Sequence, residues 1–287
     1  MDAVPQIVLN IVIAGGIYSL AALGFNVLYS TTRFFDLGYG AYALVGGYAV
    51  LCLYKWVGIN LELSLLLGVL IAGLTGFLTE KIVYRALRAR RASNTVLLIA
   101  SLGVFTLGQA ALAIFFSSQF QSLSRDIASQ RLFSIESGVI TATQLLILTA
   151  AFAVMGILVV VWRYTKFGRA VRAIADDEEV AQTVGIDSER VIGAVYFIGA
   201  AVGGIAGIAV GFDMGLQPLG MTILLEAVIA AVVGGIGNMY GSVLGGFLLA
   251  LVENIGAWQF GGEWKFAFAF AVLILFLLYR PQGILPK

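Results

Sequence analysis

The chain has 287 residues, 60% of them hydrophobic and only 11% charged, with a net charge of +1. Soluble domains carry roughly 25% charged residues, so too little polar surface exists here to clothe a water-soluble globule, and no whole-protein field attracts nucleic acid or an acidic substrate. Histidine is absent and Cys52 is the single cysteine, which excludes internal disulfides, cysteine-cluster or histidine-ligated metal sites, and histidine acid–base chemistry.

A hydrocarbon core of about 30 Å needs about 20 apolar residues per helix. The N-terminal residues Met1 to Pro5 carry no Lys or Arg, unlike a cleavable signal peptide. Residues 6–29 therefore read as a retained first span with the N-terminus outside. Further spans are predicted over 37–54, 63–80, 95–117, 141–162, 191–212, 222–236, 242–257 and 265–279, nine in all within a range of eight to ten. The segment 222–236 is short, and 37–54 can enter obliquely. The fold class is all-α: a polytopic helical membrane protein, one transmembrane domain over residues 1–287 with a polar insert at 163–190. Neither that insert nor the outer loop 117–140 is large enough for a separate catalytic domain.

With the N-terminus outside, Arg33 and segments 81–91, 163–190 and 280–287 hold 13 of the 17 Lys and Arg residues. The opposite connections hold Lys55, Arg125, Arg131 and Lys265. The positive-inside rule selects this orientation, with the C-terminus in the cytoplasm.

Glycines pair within the spans, at Gly15-Gly16, Gly46-Gly47, Gly203-Gly204, Gly234-Gly235 and Gly245-Gly246. Small residues let membrane helices approach closely, and the run from Gly234 to Gly241 also suits a helix broken beside a pathway. Tyr39-Gly40 before Gly46-Gly47 echoes Tyr240-Gly241 before Gly245-Gly246. This is compatible with the paired halves of many transporters and equally with coincidence in a glycine-rich chain.

Within the insert, Asp176 and Glu179 have capping-box spacing and Gly185 stands where a left-handed C′ residue ends a helix, which predicts a two-turn helix over 177–184. Val180, Ala181 and Val184 fall on one side of it, and Glu178, Glu179 and Gln182 on the other. Upstream, Ala170, Ala173 and Ile174 share a face flanked by Arg169 and Arg172. Asp187-Ser188 is placed to cap the next membrane helix. Two readings fit these residues equally: a solvated connector against the bilayer, or a short amphipathic helix that docks in a groove of a soluble partner.

Glu226 and Glu253 are the clearest deep carboxylates, and intramembrane charge is a functional candidate by default. Asn26, Ser101, Gln109 and Asn238 are lesser pathway candidates, for which hydrogen bonding between helices is the simpler role. Glu80 is expected at the cytoplasmic interface. A proton-coupled transporter, with Glu226 or Glu253 carrying the proton, is one class consistent with these residues. A structural partner of another permease is a second. An intramembrane enzyme is disfavoured by the missing aspartyl or serine constellation. No Gly-x4-Gly-Lys-Ser/Thr loop occurs, so any ATP hydrolysis belongs to another chain.

Arg163-Tyr164-Thr165, Gly168-Arg169-Ala170, Arg172-Ala173, Glu179-Val180-Ala181 and Gly185-Ile186 resemble the insert of permease subunits of ABC importers for branched-chain amino acids, the group that also includes urea and simple-sugar permeases. The block from Ala230 to Gly246 with Glu253, the terminal Arg280-Pro281-Gln282-Gly283, and Leu20 to Asn26 with Tyr29 and Thr31-Thr32 are similar to further motifs of that family, in order along nearly the whole chain.

The resemblance implies a bacterial inner-membrane subunit that imports amino acids, branched-chain or otherwise hydrophobic, with urea or another small polar solute as the alternative. It implies no cofactor bound by this chain, and ATP with Mg on partner subunits. Those partners are two cytoplasmic ATP-binding subunits, a second and related permease subunit, and an external substrate-binding protein. The residues it implies for coupling to the ATPases are Gly168, Arg169, Arg172, Asp176, Asp177, Glu179, Ala181 and Gly185. The chain departs from the family where Asp36-Leu37-Gly38-Tyr39-Gly40-Ala41 replaces Asn-Phe-Ala-His-Gly-Glu, and where Glu226 replaces a frequent Lys. These changes leave the architecture intact and bear on the substrate.

Overall fold

The computed structural model describes residues 4–123, 132–135, 138–219 and 221–285. Arg125, Arg131 and Lys287, which enter the charge asymmetry, lie outside the described residues. In order, the membrane-length helices are α1 (Val4–Thr32), α3 (Leu61–Thr79), α5 (Asn94–Phe116), α6 (Ala142–Tyr164), α9 (Ser188–Asp213), α11 (Met239–Phe260) and α12 (Lys265–Tyr279), the last reaching that length with the 3-10 turn Gly262–Trp264 before it. A π turn, Glu80–Tyr84, continues α3 into the short α4 (Arg85–Ala89). Helices α7 (Lys166–Asp176) and α8 (Glu178–Thr183) form the polar insert, and strands β1 (Leu132–Ile135) and β2 (Gly138–Thr141) pair as an antiparallel hairpin.

All nine predicted spans fall on helices, and among the described residues seven are long and apolar enough to cross a bilayer. The exceptions are α2 (Tyr39–Leu51) and α10 (Thr222–Gly234), of 13 residues each. At 1.5 Å per residue they reach about 20 Å. A π turn over Cys52–Trp56 extends α2, whereas α10 stops at Gly235, whose φ of +119° no L-residue adopts cheaply.

Two helices organise the bundle. α1 and α9 are apolar on all sides and buried along most of their length, as a helix hydrophobic all round must be. α1 crosses α9, α10 and α11, while α9 also packs on α2 and α3. Glycine sets how close they come. Any Cβ on Gly207 would strike the carbonyl of Ala43, one on Gly46 the backbone of Gly204, and one on Gly76 the methyl of Ala200. On the other side of the bundle, Gly234 meets Gly241 and Gly245 meets the carbonyl of Ala230. Lipid tails are as apolar as leucine, so dispersion between closely apposed backbones supplies much of the association. The paired glycines are packing devices, and the two echoing motifs open α2 and α11 respectively.

Rings mark the two ends of the bundle. Trp56, Trp258, Phe260 and Trp264 are exposed at one end, and Tyr164, Tyr240 and Tyr279 at the other, as in the aromatic belts of membrane interfaces. The tyrosine end gathers the basic connections on one face. Arg33 donates to the carbonyl of Ala175, Arg85 pairs with Glu189, and the C-terminal segment folds back so that the amides of Ile284 and Leu285 donate to Val233 O and Gly234 O at 2.9 and 3.0 Å. At the other end the Lys55 ammonium donates to Ser122 O at 2.9 Å.

Glu80, expected at the cytoplasmic interface, lies at the tyrosine end of the bundle, where it is only 3% exposed and forms a two-pronged ion pair with Arg88. The π turn carries Arg88 back over the carboxylate, so burial is compensated by charge-assisted hydrogen bonds.

Replacing Gly207 by Leu will force α2 and α9 apart. Overpacking of this kind costs about 1–3 kcal/mol or more, so the thermal midpoint in detergent should fall by several degrees or the chain should fail to accumulate. Gly103→Leu, where an added Cβ meets nothing within 4 Å, should leave the midpoint unchanged in the same fluorescence melt.

Candidate functional site

The polar insert begins with an elbow that its sequence builds locally. Thr165 ends α6 and caps α7, its hydroxyl accepting from Gly168 N at 3.1 Å. Gly168 then lies against the backbone of Trp162 with no room for a Cβ. Arg172, one turn on, donates to the Trp162 carbonyl and satisfies an acceptor left open at the end of α6. The spacing Arg-Tyr-Thr-x-x-Gly-x-x-x-Arg is thus a recipe for turning one helix sharply into the next. The buried stripe of α7 is Gly168, Val171, Ile174 and Ala175, rotated from the predicted Ala170, Ala173 and Ile174 because the elbow dictates which side faces the bundle. Arg169 points to the exposed side.

The second helix is shorter than expected and starts one residue later. Asp176 is the last residue of α7. Asp177 is extended, and its carboxylate accepts from Val180 N at 3.0 Å as the N-cap of α8. Glu178 and Glu179 occupy the first turn, where the helix dipole favours acids. At the far end Gly185 N donates to Gln182 O at 3.0 Å and Ile186 N to Ala181 O at 3.1 Å. With Gly185 at φ +88° these bonds are a Schellman motif, as its position predicts. Asp187 then caps α9 through Arg190 N at 3.1 Å.

The predicted apolar side of α8 divides in the structure. Ala181 is buried, whereas Val180 and Val184 are 58% and 72% exposed beside Glu178 and Glu179. The result is a rigid, doubly capped element that offers two valines and two carboxylates outward.

The six pathway candidates do not converge. Asn26 and Asn238 are partners: the Asn26 amide donates to Gly235 O, Asn238 O and the Ser242 hydroxyl, and its Oδ1 accepts from Gly237 N at 3.0 Å. Asn238 itself caps α11 through Tyr240 N and Gly241 N. Ser101 accepts from Leu37 N at 3.0 Å and donates to Leu98 O at 2.7 Å, tying α5 to the α1–α2 connection. Gln109 is half-buried farther along α5. Glu226 and Glu253 are buried together near Tyr18, whose hydroxyl donates to Glu253 Oε2 at 2.7 Å. Three of these positions therefore brace the tyrosine end of the bundle, and two form an acid pair inside the α1–α10–α11 packing.

A buried cluster at the same end has no counterpart among the candidates. Asp36, between α1 and α2, accepts from Gly38 N at 2.8 Å and from the Tyr84 hydroxyl at 2.7 Å, with Tyr42 Oη at 3.4 Å. Burial pushes its carboxyl up to about 7, against the lowering effect of these donors. The Asp-x-Gly turn was a visible signal in the sequence; the tyrosines, distant in the chain, were not.

Residues 7–277 match the family model described as the permease component of branched-chain amino acid transport systems. The chain is similar to the high-affinity branched-chain amino acid transport system permease proteins LivH of Escherichia coli K12 (31% identity, 98% of this chain, 95% of that one) and BraD of Pseudomonas aeruginosa (30%, 98% and 95%). It also matches LivM of Escherichia coli K12, at 25% identity over 94% of this chain and 68% of that one. Among solved structures, PsaBC from Streptococcus pneumoniae in complex with Fab superposes with a TM-score of 0.54 at 12% identity, covering 98% of this chain and 95% of that one. That likeness extends to the fold alone.

The Asn26 network sets the price of one substitution. Asn26→Ala leaves a buried amide and carbonyls without partners at about 1–3 kcal/mol, and should lower the detergent melting midpoint by about 2–8 °C. Asn10→Ala, which removes only an exposed bond from Gln6, should not shift it.

Proposed function

The chain belongs to the permease-component family of branched-chain amino acid transport systems, and from that membership we propose how it is assembled and driven. It is a multi-pass membrane subunit that imports amino acids, and its relatives are transport permeases rather than enzymes. The pathway is shared with a second, related permease. LivH and LivM, both similar to this chain, are named as permease proteins of a branched-chain amino acid transport system. Two cytoplasmic ATP-binding subunits hold ATP and Mg, and an external binding protein delivers the solute. The N-terminus faces outward and the insert faces the cytoplasm, in the sense that the basic residues favour. The solutes are branched-chain or similarly hydrophobic amino acids.

The observation that carries this reading is the outward face of α8. Val180 and Val184 are apolar, exposed and held on a helix too short to be stable without its caps. Such a surface suits a groove in a soluble partner. Force applied there has three routes into the membrane. The elbow at Gly168 leads to α6, the Arg33 bond to Ala175 O leads to α1, and the Schellman turn with the Asp187 cap leads to α9. Nucleotide binding biases an inward–outward equilibrium only through contacts that differ between the two states. α8 supplies these contacts, with Gly168, Arg169, Arg172, Asp176, Asp177, Glu179, Ala181 and Gly185 building or presenting it.

Gly185→Trp and Glu179→Lys, assembled with the ATPases and the second permease in proteoliposomes, should reduce ATP-driven uptake at least about tenfold. A contact worth 1.4 kcal/mol changes an equilibrium by that factor. Membrane insertion should persist, and basal ATP hydrolysis should no longer respond to solute. Undiminished uptake by Gly185→Trp, or uptake by this chain alone under a proton gradient, would overturn the scheme.

A further inference from the structure

Where α6 meets α7, a cavity of about 440 Å³ opens beside the N-terminal turn of α11, lined by Val159, Trp162, Arg163, Arg172, Met239 and Tyr240. We propose that it binds the phosphate of an anionic phospholipid.

Charge is the first argument. Neither Arg163 nor Arg172 forms an ion pair among the described residues, whereas Arg85, Arg88 and Arg190 at the same end each hold a carboxylate. Arg172 uses one nitrogen on the Trp162 carbonyl, and Arg163 reaches the Tyr240 hydroxyl at 3.5 Å. A guanidinium carries five N–H donors, so most of the donors that line this cavity have no acceptor within the described chain. No carboxylate lines it. Two such forks across one cleft suit a phosphate oxygen set better than a single carboxylate.

Depth is the second argument. The exposed rings of Tyr164 and Tyr240 place the opening at the level where headgroups lie. Val159 and Met239 line it as well and are apolar. A soluble anion has no use for apolar lining, while a glycerophospholipid seats its phosphate on the arginines and its acyl chains against these side chains. Basic pockets between helices at this depth are suited to anionic headgroups.

A bound headgroup would join α6, α7 and α11 at the elbow from which the insert projects. Anionic lipid would then stiffen the mounting of α8, a role separate from contact with any ATP-binding subunit.

Native mass spectrometry of the full chain, released from nanodiscs of mixed phosphatidylglycerol and phosphatidylcholine, tests the site. Wild-type protein should retain phosphatidylglycerol with about a tenfold preference or more, from roughly two cation contacts. Arg163→Gln combined with Arg172→Gln should abolish the preference, and Lys81→Gln, an exposed cation outside the cavity, should keep it. Because the double variant could fold poorly, a photoactivatable phosphatidylglycerol on wild-type protein provides the second measurement, with label expected on residues 159–172 and 239–240. Equal retention of the two lipids, an unchanged preference in the double variant, or label only elsewhere would overturn the proposal. So would displacement of the lipid by millimolar inorganic phosphate, which assigns the arginines to a soluble anion. Loss of the bound lipid once the ATP-binding subunits are added would assign them to a protein contact instead.

Discussion

Backbone proximity governs this molecule. Where α9 meets α2 and α3, and where α11 meets α10, glycine stands opposite glycine, alanine or a bare carbonyl, so the helix axes approach more closely than larger side chains permit. Charged groups buried within such a bundle need partners of their own, and three have them. Glu80 holds Arg88, Glu253 accepts from Tyr18, and Asp36 collects an amide and a tyrosine hydroxyl. Such clusters answer the demand that a hydrocarbon environment places on every polar group.

The same closeness defines what can move. α1 and α9 are encased, whereas α5, α6 and α12 each bury a narrow stripe. The insert is fastened at its two ends to α6 and α9 and at its middle to α1. A load on α8 therefore reaches the encased helices directly, without passing through the peripheral ones. Under the proposed scheme, in which ATP is hydrolysed on a separate subunit, such a connection is required.

Hydropathy made the spans legible, since the bilayer demands a length and a composition that few other environments do. It also marked the two exceptional segments, 222–236 as short and 37–54 as able to enter obliquely. The insert was legible in kind but displaced in detail. Two adjacent aspartates can each accept from an amide three residues on, and the choice of Asp177 over Asp176 depends on where α7 ends. The buried side of α7 depends on the elbow at Gly168, a tertiary contact with no periodic trace. The location of Glu80 was legible but its ion pair was not, because its partner lies eight residues away, across a π turn that ordinary helical spacing does not anticipate. Asn26 and Asn238 make the hydrogen bonds that were the simpler of the two roles weighed for them, with partners in the glycine-rich block that the sequence does not specify.

The tail of the chain has a consequence for the order of synthesis. The amides of Ile284 and Leu285 close over the last carbonyls of α10, and Gly283 sits against Gly235 with φ +78°. Those carbonyls therefore gain these backbone partners only after residues 284 and 285 have been made and α12 has been inserted. α10 is made before it is finished, so its C-terminal end must wait in an uncompleted state while two further spans emerge from the ribosome.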